Sequence, residues 1–115
     1  AAVSFGRGSE GSPGLCHVGG VGAALDSVFV SLVQKAMGDV PMSAARAVTA
    51  SFEIEIFRDV VLDTTFRIDA HVDRVETKDH RHKLFLSATL VDDEVALASG
   101  RALFIAQGLL SETFV

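Results

Sequence analysis

One change of period constrains this chain more than any other feature. Between Gly20 and Met37 the apolar residues Val21, Ala24, Leu25, Val28, Phe29, Leu32, Val33 and Ala36 recur three and four apart, the signature of a helix. Gly38 and Pro41 follow and stop it. Beyond them the period is two. Val48 to Ile56, Phe66 to Asp73 and Leu84 to Leu90 alternate apolar with polar residues, and Val95 to Ala106 is apolar on both faces, as a central or interface strand would be. Asp92-Asp93-Glu94 reads as a tight hairpin between the last two strands, and the loops near 58–63 and 76–82 are too short for a crossover helix. No second helix shares the cover. The economical packing is α+β, a curved, mostly antiparallel sheet wrapped around one helix. The far side of that helix (Gly22, Ala23, Asp26, Val30, Lys35) is small and only partly polar, so burial on most sides is expected.

Length allows one domain, here 15–115, preceded by a Gly-rich loop or tail over 1–14 in which Val3 to Phe5 offers only a weak strand. A mean hydropathy of +0.38 is high for a small soluble domain and predicts that apolar surface is used in a homo-oligomer, a dimer or tetramer. The net charge of −5 argues against a nucleic-acid partner, whose phosphates need Lys and Arg. A lone cysteine, Cys16, forms no internal disulfide and has no metal-ligand spacing around it, which suits a reducing cytoplasm and predicts no metal. No stretch reads as a signal peptide or a membrane span.

The chemistry concentrates before and within the helix. Ser12-Pro13-Gly14-Leu15-Cys16-His17-Val18-Gly19-Gly20, followed by Ala23-Ala24-Leu25-Asp26, resembles the signature of the PaaI-like hotdog acyl-CoA thioesterases: a Pro-Gly, a His-Gly-Gly, and an acidic residue nine positions after the His. The strand from Val48, the segment Phe57 to Thr65 and the stretch Val91 to Ile105 extend the likeness over roughly 12–106. The resemblance implies a hotdog fold and thioester hydrolysis in a cleft between two subunits, with acyl-CoA as substrate and no separate cofactor. It assigns Asp26 as general base or nucleophile, His17 as the start of an oxyanion turn, the backbone N–H groups of Val18 and Gly19 as donors, and Thr49 as support. Two positions depart from the pattern. Val18 stands where the family has its first Gly, a costly exchange if the backbone there needs positive φ. Gly11 stands where some relatives have Asn.

Other signals compete with plainer readings. Gly19, Gly20 and Gly22 suggest a phosphate cradle, but neither the Lys-Ser/Thr ending nor Rossmann spacing is present. Lys78, His80, Arg81, His82 and Lys83 are the one basic cluster, either a solvated hairpin loop or, with Arg58 or Arg74, an attractor for CoA phosphates. Among these, Arg58, Arg81 and Lys83 are the candidate substrate contacts. Phe29, Val33, Phe52 and Phe57 are candidates for lining the acyl cleft. A non-catalytic acyl-CoA-binding hotdog protein is one alternative, and a hotdog dehydratase or hydratase is another, with His71 as the spare strand histidine.

Overall fold

A computed structural model describes residues 2–108 and 110; the end of the expected domain, at 115, lies outside them. In chain order the elements are β1 (Ala2–Ser4), a short 3₁₀ turn (Arg7–Ser9), α1 (Val18–Ala36), β2 (Val48–Ile56), β3 (Thr65–Lys78), β4 (Arg81–Asp92) and β5 (Val95–Gln107). The strands form one sheet in the order β1-β3-β4-β5-β2, antiparallel throughout. The α+β architecture read from the change of period is the one observed.

Two details of α1 differ from expectation. It begins at Val18, ahead of the first strong periodic residue, because His17 caps it. Its burial follows one ridge: Val21, Leu25, Phe29, Val33 and Ala36 are buried, while Ala23, Ser27, Ser31 and Lys35 on the far side are exposed. A single chain therefore covers one face of its helix and leaves the small-residue face open. The buried ridge meets Leu84, Leu86, Leu90 and Phe104 on the concave face of the sheet. Gly100 on β5 lets the helix approach closely, since a Cβ there would lie 3.0 Å from Leu25 Cδ1 and 3.5 Å from the Glu53 carbonyl oxygen.

Both long hairpins close through two-residue loops with positive φ at each position, Asp79 (52°) and His80 (63°), then Asp93 (47°) and Glu94 (70°). That is the type I′ pattern, whose twist matches the flanking strands. The stretch 1–14 is more than a loop or tail. β1 pairs with β3, and Phe5 is 4 % exposed in the core, where it packs on Phe66 with ring centroids 6.3 Å apart.

Candidate active site

The turn before α1 is held from several sides. Leu15 N–H donates to the Ser12 carbonyl at 2.9 Å and Gly11 N–H to the Leu15 carbonyl at 2.9 Å, closing a small loop. Cys16 N–H then bonds the Val60 carbonyl at 2.7 Å, and His17 N–H bonds the Ser9 carbonyl at 2.8 Å. These bonds deliver His17 in extended backbone (φ −78°, ψ 162°), as a residue preceding the first helical turn requires. Its Nδ1 accepts the Gly20 N–H at 3.1 Å, and its carbonyl also receives Gly20 and Val21. The N–H groups of Val18 and Gly19 have no acceptor among the described residues. Two unpaired donors thus point out of the positive end of a 19-residue helix.

Val18 is already helical here, with ordinary negative φ, so a β-branched residue is tolerated where the family pattern has Gly. Gly11 lies directly against His17: a Cβ there would come within 2.8 Å of the His17 Cβ. Cys16 is half-buried beside the turn, its Sγ 3.3 Å from the His17 carbonyl oxygen, and desolvation pushes its thiol pKa up. A thiol held in its neutral form is a poor nucleophile, in keeping with a packing role.

Asp26 sits on the side of α1 that faces β2, one turn beyond Gly22, whose added Cβ would meet Ile54 Cδ1 at 2.7 Å. It is half-buried and makes no hydrogen bond or ion pair among the described residues. Eight residue steps along the helix separate it from Val18, about 12 Å at ~1.5 Å per residue. One thioester carbon cannot touch both within a single chain.

Thr49 reaches this side of the sheet through an irregularity that alternation does not reveal. The β2–β5 register slips between Thr49 and Ser51, leaving Ala50 as an extra residue. Thr49 therefore pairs with the buried Phe104 and takes the helix-facing side of Phe52, while Val48, 57 % exposed, turns to the outer face. No hydrogen bond joins Thr49 to Asp26 or His17 among the described residues.

The candidate substrate cations are dispersed. Arg58 is at the helix N-terminal end, in a groove with Asp59, Asp92 and Asp93. Arg81 and Lys83 line a different cavity around the Asp79-His80 turn, with Glu76, Lys78 and Gly108. Lys83 lies in the row of Ile105 and Val48, and Ile56 in the row of Ala98 and Leu90. The seven residue steps between these rows place Lys83 about 23 Å along the sheet from the turn before α1 of its own chain. His82 does not belong to the basic surface at all. It is 4 % exposed, with Nδ1 at 2.8 Å from Thr77 Oγ1 and Nε2 donating to the Gly108 carbonyl at 2.6 Å. His71 lies on the outer face, with Nε2 2.8 Å from Asp73 Oδ1 and 3.0 Å from Ser87 Oγ. One nitrogen meets both partners, whereas a relay needs one on each ring nitrogen. Phe29 and Val33 are fully buried core residues; Phe57 is half exposed.

A cavity of about 390 Å³ opens beside His17 and Val18, lined also by Leu15, Val21, Ile56, Asp59 and Val60. Asp59 is the site residue that sequence reading passed over, because it lies in an irregular loop with no motif around it. Among the described residues no cluster of His, Cys, Asp and Glu could hold a metal, and no helix is long and apolar enough to cross a membrane.

No family model and no curated protein matches the chain by sequence. Solved structures do match in shape. A phenylacetic acid degradation-related protein from Ralstonia eutropha JMP134 superposes with a TM-score of 0.73 at 18% identity, covering 90% of this chain and 72% of that one. A gentisyl-coenzyme A thioesterase gives 0.74 at 11% identity, over 92% and 87% of the two chains. A Staphylococcus aureus protein solved in complex with CoA gives 0.73 at 10% identity, over 99% and 77%. The architecture of one helix against a five-stranded antiparallel sheet is thus the hotdog fold, and the solved structures similar to this chain include a gentisyl-coenzyme A thioesterase.

Proposed function

We propose that the protein hydrolyses an acyl-CoA thioester to the free acid and CoA. The observation that carries this reading is the pair of N–H groups at Val18 and Gly19, without an acceptor among the described residues, in the first turn set by the His17 cap, where Val18 borders a cavity. Attack on a thioester carbonyl builds negative charge on its oxygen, and fixed donors at a helix N-terminus stabilise that charge without reorganising. Similarity to a CoA-bound protein of the same fold supports the choice of thioester.

The second requirement is a carboxylate, and the spacing of about 12 Å along α1 supports its coming from another chain. Asp26 of the partner subunit serves as base, drawing a proton from water as the oxygen attacks the carbonyl carbon, or as nucleophile, forming an anhydride that water opens. In either route the C–S bond breaks and the departing sulfur takes a proton. Thr49 assists by holding the water or the carboxylate, and His17 positions the turn. A homodimer accounts for this arrangement, and the chain provides surface for it: β2 is an edge strand of nine residues beside the half-buried Asp26. A cytoplasmic setting suits the acyl-CoA substrate and the single unpaired thiol. CoA release from acyl-CoA esters, measured with a thiol reagent, tests the reading; no release from any ester while CoA esters still bind would leave a binding protein.

A further inference from the structure

Half of the residues that line the cavity at the N-terminus of α1 are aliphatic, and Gly11, Ser12, Cys16, His17 and Asp59 complete the wall. Val21 and Val60, 1 % and 2 % exposed, close its floor, and Ile56 and Val18, 41 % and 59 % exposed, flank its mouth with Leu15. No lysine or arginine lines it. Asp59 is the one carboxylate that does. The same residue lines the adjoining groove with Asp92 and Asp93, where Arg58 is the single cation among the described residues, so this groove carries an excess of negative charge. No ion pair joins Asp59 to a cation among the described residues.

We infer that this cavity receives an apolar acyl group and that Asp59 excludes acyl groups ending in a carboxylate. The inference rests on the thioesterase reading above. A carbonyl oxygen held by the Val18 and Gly19 N–H groups starts the acyl chain at the cavity mouth, where its methylenes or ring replace water against aliphatic side chains. A terminal carboxylate following the same path comes to lie near a like charge, in a wall with no lysine or arginine among the described residues. The positive end of α1 does not compensate, because its free donors are engaged by the thioester oxygen. Exclusion by a repulsive group, rather than by a tighter fit for the right substrate, sets the selectivity.

Butyryl-CoA and succinyl-CoA, equal in carbon count and differing in the terminal carboxylate, provide the test. The wild type should favour butyryl-CoA in kcat/KM by about tenfold or more. Asp59→Asn should raise the succinyl-to-butyryl ratio roughly three- to tenfold, the range expected for one partly solvated like charge, and Asp59→Glu should restore the wild-type ratio. A ratio measured within one variant is insensitive to how much of that variant folds. A wild type that prefers succinyl-CoA, or a ratio unmoved in Asp59→Asn, overturns the inference while hydrolysis itself stands. Failure to hydrolyse any ester removes the thioesterase reading and this inference with it.

Discussion

His17 Nδ1 accepts the backbone N–H of Gly20 at 3.1 Å, so the histidine of the motif is the cap of the helix that the motif opens. Removing it as His17→Ala should cost about 1 kcal/mol in denaturant unfolding, the usual worth of an N-cap. His17→Ser, which restores a capping oxygen, should recover most of that stability. If activity returns with it, the side chain serves to place the turn rather than to move protons.

Val18→Pro separates the donor from the fold. Val18 is the first helical residue, where Pro is well accommodated, and its N–H has no acceptor among the described residues. His17 is already extended, as a residue before Pro must be. Stability should stay within about 0.5 kcal/mol of wild type, while kcat falls roughly a hundred- to a thousandfold through loss of one oxyanion donor. An unchanged kcat would show that this N–H takes no part.

The proposed division of the site between two chains predicts that Val18 and Asp26 variants complement each other. Val18→Pro and Asp26→Ala, unfolded together and refolded, should recover about a quarter of wild-type activity, because random pairing yields half heterodimers with one intact site each. Each variant refolded alone should stay inactive. Recovery of nothing in a mixed sample that has demonstrably exchanged chains would place the whole site in one subunit.

Burial of His82 predicts a stability defect far from the chemistry. His82→Leu leaves the Gly108 carbonyl without its donor and Thr77 Oγ1 without its ring partner. Loss of about 2–4 kcal/mol in a urea titration is expected. Lys83→Leu, its exposed neighbour, should change stability by less than about 0.5 kcal/mol.

The elements that sequence made legible are those whose signal is local and periodic. Leu25, Phe29 and Val33 recur at helical spacing and do form the buried ridge, and Asp93-Glu94 does turn a hairpin. The start of α1 was hidden because its cap is His17 rather than Ser, Thr, Asp or Asn, and because Gly19 and Gly20 are poor helix formers. The side of the sheet that Thr49 takes was not legible in the alternation, since one bulge at Ala50 reverses every residue before it and leaves no mark on composition. His82 looked like part of a basic run because burial depends on a pairing with Gly108, distant in sequence. Asp59 gave no signal, being defined only by the cavity it lines.

The most direct test of the central claim is free-thiol release from a panel of acyl-CoA esters, short, long and aryl, by wild type and Asp26→Asn. Asp26 makes no hydrogen bond among the described residues, so the substitution should leave stability nearly unchanged. Turnover of at least one ester, lowered by roughly a hundredfold or more in the variant, is the predicted result. Equal turnover by the two proteins would contradict the role given to Asp26, and none by either would contradict the thioesterase itself.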